Sequence, residues 1–184
     1  MIIATALQAV LQMQRVGMPE VIGLRTALAR YSVERAVEEA TAEDIERIKL
    51  REEELLTVRK VDDLERAADL AVEFMVSITA AAHHPLLLAI DSFLIRVLVQ
   101  IHQLAFVDLD SWHEWSLSFA PIRRRLVGSL AARDKKGATA AMISYLELQA
   151  DQFAKRHTID LRLDTQTMQR LASPAKAAGS SSSA

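Results

Sequence analysis

The stretch Phe74-Met75-Val76-Ser77-Ile78-Thr79-Ala80-Ala81-Ala82-His83-His84-Pro85-Leu86-Leu87 constrains the chain most. An apolar run of helical period arrives at His83 and His84, and Pro85 ends it. A residue before proline is pushed out of helical geometry, and proline itself suits the first turn of the next helix. The spacing therefore predicts two long helices back to back, one from Asp62-Asp63 to about Ala82 and one from Pro85 to about Phe106. The window 86–107 is the most hydrophobic in the chain. It contains Asp91, Arg96, Gln100 and His102, which reads as a buried helix rather than a membrane span.

The same alternation of helices and breaks extends through the sequence. Pro19 opens a helix over 19–39, with Val21, Ile22, Leu24, Leu28, Tyr31, Val33 and Ala36 at near-helical spacing. Thr41-Ala42-Glu43-Asp44 resembles a capping box with a short carboxylate, starting a helix to about Val58. Its Ile45, Ile48, Leu55 and Leu56 point inward and its charged face reads as solvated. Residues 108–111 are predicted as a turn, 112–119 as two helical turns, and Pro121 as a restart. A helix over 122–133, a turn at 134–137 and a last helix over 138–157 follow. With five glycines and four prolines in 184 residues there is too little turn chemistry for a sheet protein. The expected fold is all-α, an antiparallel bundle of about six to seven helices, covering residues 19–157. Residues 1–18 read as an N-terminal helix or linker remnant, with a weak helix over 2–14. Residues 158–172 form a short C-terminal segment and 173–184 a low-complexity tail.

Composition removes several classes of function. The chain has no cysteine, so it carries no disulfide, thiolate zinc site or cysteine nucleophile. A formal net charge of −2 provides no general attraction to nucleic acid. No glycine-rich phosphate loop or nucleophile motif occurs, so the reading is not an enzyme and no cofactor is implied. The N-terminus lacks the basic start of a secretory signal, and a cytoplasmic protein without membrane contact is expected.

Four pieces carry a family resemblance across residues 19–157. Leu24-Arg25 with Leu28 is similar to an "LR-x-x-LE" start, with Ala29 in place of the Glu. Ala40-Thr41-Ala42-Glu43-Asp44 is similar to "A-T-x-E-D". The stretch from Ala71 to Leu87 is similar to "D-x-x-F-H-x-x-I-x-x-A-x-x-N-P-L-L", keeping Phe74, Ile78, Ala81 and Pro85-Leu86-Leu87. Leu130-Ala131-Ala132-Arg133-Asp134 with Ala138 is similar to "A-i-x-x-g-D-x-x-x-A". In this order they resemble the all-helical effector-binding (FCD-type) domain of the FadR branch of the GntR transcription regulators.

The resemblance implies a ligand-sensing, dimerising domain, with a homodimer as the expected assembly. In that family an Asp and three His hold a metal. The matching positions here are Ala71, Met75, Arg123 and Tyr145, so the resemblance implies the ligand set is lost and no metal is bound. Two readings of these replacements stay open. In one, Arg123, with Arg25 and Tyr145, recognises a small anionic effector, a carboxylate or an acyl thioester, because a guanidinium fork matches a carboxylate. In the other, the replacements fill a dead cavity and the domain only dimerises or binds another protein. A shifted pair, Asp69 and Glu73, reads as solvent-facing. Regulators of this family carry a winged helix-turn-helix ahead of the effector domain. Residues 1–18 are too few to hold one, so DNA contact is expected only through a winged-helix domain absent from this chain.

Among other residues, His83 and His84 read as helix-end caps and His102 as a hydrogen-bonded core residue. His113 stands between Trp112 and Glu114. Trp112 and Trp115 share a packing face. His157 meets a helix C-terminus. Of Arg123-Arg124-Arg125, only one or two can point the same way.

Overall fold

Capping side chains set the joints of this bundle. In the computed structural model, which describes residues 18–103, 106 and 108–156, the chain forms seven α-helices and one short 3-10 turn, with no strand among the described residues. They are α1 (Met18–Glu39), α2 (Ala42–Leu56), the 3-10 turn (Val58–Lys60), α3 (Leu64–Ala80), α4 (Pro85–Gln103), α5 (Leu109–Ser118), α6 (Ala120–Ala131) and α7 (Lys135–Arg156). The expected helix over 2–14, His157, the segment 158–172 and the tail lie outside the described residues.

Thr41 caps α2. The Asp44 N–H donates to Thr41 Oγ1 at 3.1 Å, and the Thr41 N–H donates to Asp44 Oδ2 at 2.9 Å, so the short carboxylate does close the box. Asp63 caps α3 by accepting the N–H groups of Glu65 and Arg66 at 3.2 and 3.1 Å. α3 stops at Ala80, and His83 adopts a left-handed φ of 48°. His84 then caps α4, its Nδ1 accepting the Leu87 N–H at 3.2 Å, two residues past Pro85.

Two predicted turns are helix starts instead. Asp108 Oδ1 accepts the Ser111 N–H at 2.7 Å, so α5 begins at Leu109 rather than Trp112. Asp134 Oδ1 accepts the Gly137 N–H at 3.0 Å, so α7 begins at Lys135 rather than residue 138. A carboxylate at an N-cap satisfies orphan N–H groups and meets the positive end of the dipole. Both aspartates read as turn formers from sequence because the same chemistry makes turns. A Cβ at Gly137 would lie 2.2 Å from Asp134 Oδ2, so a larger residue there would displace the capping carboxylate. Before this cap, Arg133 ends α6 with φ 57°, its N–H bonded to the Leu130 carbonyl and that of Asp134 to the Ser129 carbonyl. That pairing is a Schellman ending, which usually takes glycine. The Arg133 guanidinium donates in return to the Val37 carbonyl at 2.7 Å and to the Ala40 carbonyl, capping the end of α1.

α3 packs on α4, α6 on α7, α1 on α7 and α2 on α3. The main core includes Phe74, Ile78, Trp112, Leu126, Leu130 and Met142, all essentially enclosed. Burying one such large apolar side chain contributes about 2 kcal/mol. A smaller cluster joins α1 to α4 through Val21, Leu94, Val97, Leu98 and Ile101. The inward face of α1 differs from the predicted one. Leu24 and Tyr31 are 51% and 46% exposed, while Arg25, Ala29 and Ser32 point inward. On α2, Glu52 is buried, against the expectation of a wholly solvated charged face. Inside α4, which by length and composition could cross a membrane, Asp91 is fully enclosed and pairs with a cation within the bundle.

Candidate functional site

All five residues singled out from sequence are buried, and they come from four helices: Arg25 on α1, Ala71 and Met75 one turn apart on α3, Arg123 on α6 and Tyr145 on α7. Three of them line one crevice. Arg25, Met75, Tyr145 and Gln149 line a crevice walled by Ile95, Leu98 and Val99 of α4. A second crevice has Ile22, His102 and Leu146 among its walls and shares Arg25, Leu98 and Gln149 with the first. Each offers about 10 Å³, roughly the space of a single water. Arg123 and Ala71 do not line either crevice. Arg123 lies close enough to Tyr145 to be the leading electrostatic influence on its phenol after burial, with Arg25 next.

The two buried arginines are held differently. Arg25 Nε lies 3.2 Å from Asp91 Oδ1. Asp91 Oδ2 accepts the Thr79 hydroxyl at 2.6 Å and, more weakly, the Ser32 hydroxyl at 3.4 Å. Arg25 Nη1 is buried without a hydrogen-bond partner. Arg123 donates through Nη1 to the Ser116 carbonyl at 2.6 Å, and its Nε and Nη2 are buried without partners. Burial pushes the pKa of both guanidiniums down; Asp91 and then Tyr145 oppose this for Arg25, and Tyr145 and then Glu52 for Arg123. Arginine is basic enough to remain protonated regardless. Burial pushes the Tyr145 phenol up, so it stays neutral and available as a donor. Glu52 is pushed up by burial, against the pull of Arg123 and Arg124, and its Oε1 has no hydrogen-bond partner.

This donor set does not fit the divalent metal of the resembled family. Ala71 has no donor atom, Met75 offers only a thioether, Arg123 brings positive charge and Tyr145 a neutral phenol. The set suits an anion instead: two guanidiniums with unused N–H groups and a phenol near both. The shifted pair does not make an alternative metal site. Glu73 bridges Arg51 at 3.1 Å and Arg66 at 2.7 Å, and Asp69 is exposed.

The remaining readings resolve as helix structure. His83 Nε2 lies 2.8 Å from Asp44 Oδ2, and His102 Nδ1 donates to the Leu98 carbonyl at 2.6 Å. His113 is buried. Trp112 and Trp115 pack with centroids 4.7 Å apart. Arg124 and Arg125 are exposed beside the buried Arg123. Sequence reasoning missed Ser32, Glu52, Thr79 and Gln149, and passed Asp91 over as a mark against a membrane span. Asp91 carried a usable signal: it is the single acidic residue of α4, and a carboxylate in so apolar a helix needs a cation.

A family profile for the FCD domain matches residues 20–148. Among solved structures, E. coli McbR/YncC, a GntR-family regulator, superposes with a TM-score of 0.64 at 19% sequence identity, over 76% of this chain and 69% of that one. No curated protein matches the sequence. The match over most of the bundle, on a helical scaffold shared with a GntR regulator, shows that the chain belongs to the FCD family, the all-helical effector-binding domains of GntR-type transcription regulators.

Proposed function

We propose that this domain senses a small carboxylate without a metal, as a homodimer in the cytoplasm, within the FadR branch of these regulators. The observation that carries the reading is the group of unused buried donors, Arg25 Nη1 and Arg123 Nε and Nη2, around the Tyr145 phenol. A buried cation lacking a full set of partners is costly, and a carboxylate supplies charge and acceptors together. The crevices are too narrow for such a ligand as they stand, so binding requires α1, α4 and α7 to separate around Arg25 and Tyr145. A ligand that binds only the opened form shifts the population toward it. Movement of α1 relative to α4 and α7 is then the regulatory output, passed to DNA through a winged-helix module and not through this bundle.

A second reading, an interaction domain with a filled interior, is favoured by the same narrow crevices and by Met75, whose flexible thioether fills irregular gaps. Thermal shift and titration calorimetry with a panel of carboxylates separate the two. Sensing predicts saturable stabilisation of the wild type that disappears in Arg123→Ala. A filled interior predicts no response to any acid. Elemental analysis by mass spectrometry of protein purified without chelator tests the metal-free part; stoichiometric zinc, nickel or manganese would refute it.

A further inference from the structure

Asp91 is held from three helices. Its own helix, α4, places it at the centre of the bundle, Thr79 of α3 and Ser32 of α1 donate to Oδ2, and Arg25 of α1 faces Oδ1. The carboxylate thereby occupies the Nε side of the Arg25 guanidinium and leaves Nη1 unpartnered in a residue that lines both crevices. It also cancels the Arg25 charge. Among the described residues the other buried guanidinium is Arg123, with buried Glu52 and exposed Arg124 in its electrostatic surroundings. Glu52 subtracts from this charge wherever it is ionised, so the buried guanidiniums and carboxylates of the described residues leave at most one positive charge in excess. The other walls around Arg25 include Ile95, Leu98, Leu146 and Gln149, and His102, whose Nδ1 donates to the Leu98 carbonyl of its own helix.

We infer that Asp91 sets the charge of the effector: paired with Arg25, it positions that guanidinium and restricts the chamber to a monocarboxylate with an apolar body, excluding dianions. A first negative charge meets the unused N–H groups of Arg25 and Arg123. A second finds no further lysine or arginine among the described residues that line the crevices, and an unpaired buried charge is among the costliest groups to bury. Asp91 is thus a positioning and specificity residue, and it does not itself touch the ligand. The inference rests on the anion-sensing reading above.

The test uses acids of closely matched size that differ by one charge at pH 7: succinate against monomethyl succinate, and adipate against monomethyl adipate. Affinities are measured by calorimetry on the full chain. The wild type is expected to favour each monoester over its dianion by about tenfold or more. Asp91→Asn, which keeps the shape and removes the charge, is expected to move that ratio at least about tenfold toward the dianion. Thr79→Val loosens the same network without changing its charge and is expected to leave the ratio in place, although both affinities fall. A purely structural role for Asp91 would weaken both partners of each pair together. An unchanged ratio in Asp91→Asn, or a wild type that prefers the dianions, overturns the charge inference and leaves anion sensing standing. A wild type that binds none of the four acids overturns both. Should Asp91→Asn fail to fold, the wild-type ratio decides alone.

Discussion

The polar clusters at the helix ends and the polar cluster in the chamber are built from the same residue types to opposite effect. At the α2 start, Asp44 takes the Thr41 N–H and hydroxyl, the Arg47 guanidinium and His83, so its carboxylate is fully engaged. At the α6–α7 joint, Asp134 accepts from Gly137, and Arg133 closes the carbonyl end of α1. In the interior, Asp91 meets Arg25 with Nη1 left over, Arg123 keeps two bare nitrogens, and Glu52 keeps a bare oxygen. A saturated network fixes structure; an unsaturated one costs stability and marks where another molecule can complete it.

Four measurements break or sharpen that contrast. The largest effect belongs to Asp91→Leu, which strands Arg25 as an uncompensated buried cation and should cost about 3–5 kcal/mol by urea denaturation. The double variant Arg25→Met with Asp91→Leu should recover most of that loss, because removing both charges also removes their desolvation. If it recovers nothing, the chamber network is structural in the same sense as the caps.

Acid titration comes second. Burial pushes the Asp44 carboxyl up, but the Thr41 N–H, the Thr41 hydroxyl and His83 outweigh it and bring it from 3.8 down to about 2. A carboxyl depressed on folding adds stability that is fully present above the unfolded value and is lost as pH falls through the folded one. Stability should therefore drop by about 2 kcal/mol between pH 4 and pH 2 on account of this group. Asp44→Asn should flatten that part of the pH profile, and an unaltered slope would show that the cap is weaker than its geometry.

Gly137→Ala should cost about 1–2 kcal/mol in thermal or chemical denaturation, because the added methyl pushes the Asp134 carboxylate off the α7 N-terminus. Arg123→Met should have the smallest effect, a change under about 1 kcal/mol, since losing the Ser116 hydrogen bond is offset by removing a buried, partly unsatisfied charge. Its carboxylate-dependent thermal shift should nevertheless vanish. A loss of several kcal/mol in Arg123→Met would class Arg123 with the caps.

Much of the scaffold was legible in the sequence because its signals are local. Pro19, Pro85 and Pro121, the Thr41–Asp44 box and the apolar period of α3 and α4 act within one or two turns, where spacing is geometry. Local chemistry misled where one residue type serves two purposes, as with Asp108 and Asp134, which cap helices and also make turns. The family pattern, carried by Phe74, Ile78 and Pro85-Leu86-Leu87, was equally readable.

Tertiary structure alone decided which charges lie inside and what they face. Nothing local distinguishes Arg25 from Arg30, or Glu52 from Glu53; only the packing of α1 against α4 and α7, and of α2 against α6, sends one of each inward. The pairing of Arg25 with Asp91 links residues remote in sequence. Its strength depends on a few ångströms of separation and on exclusion of water, and neither is a property of any sequence window.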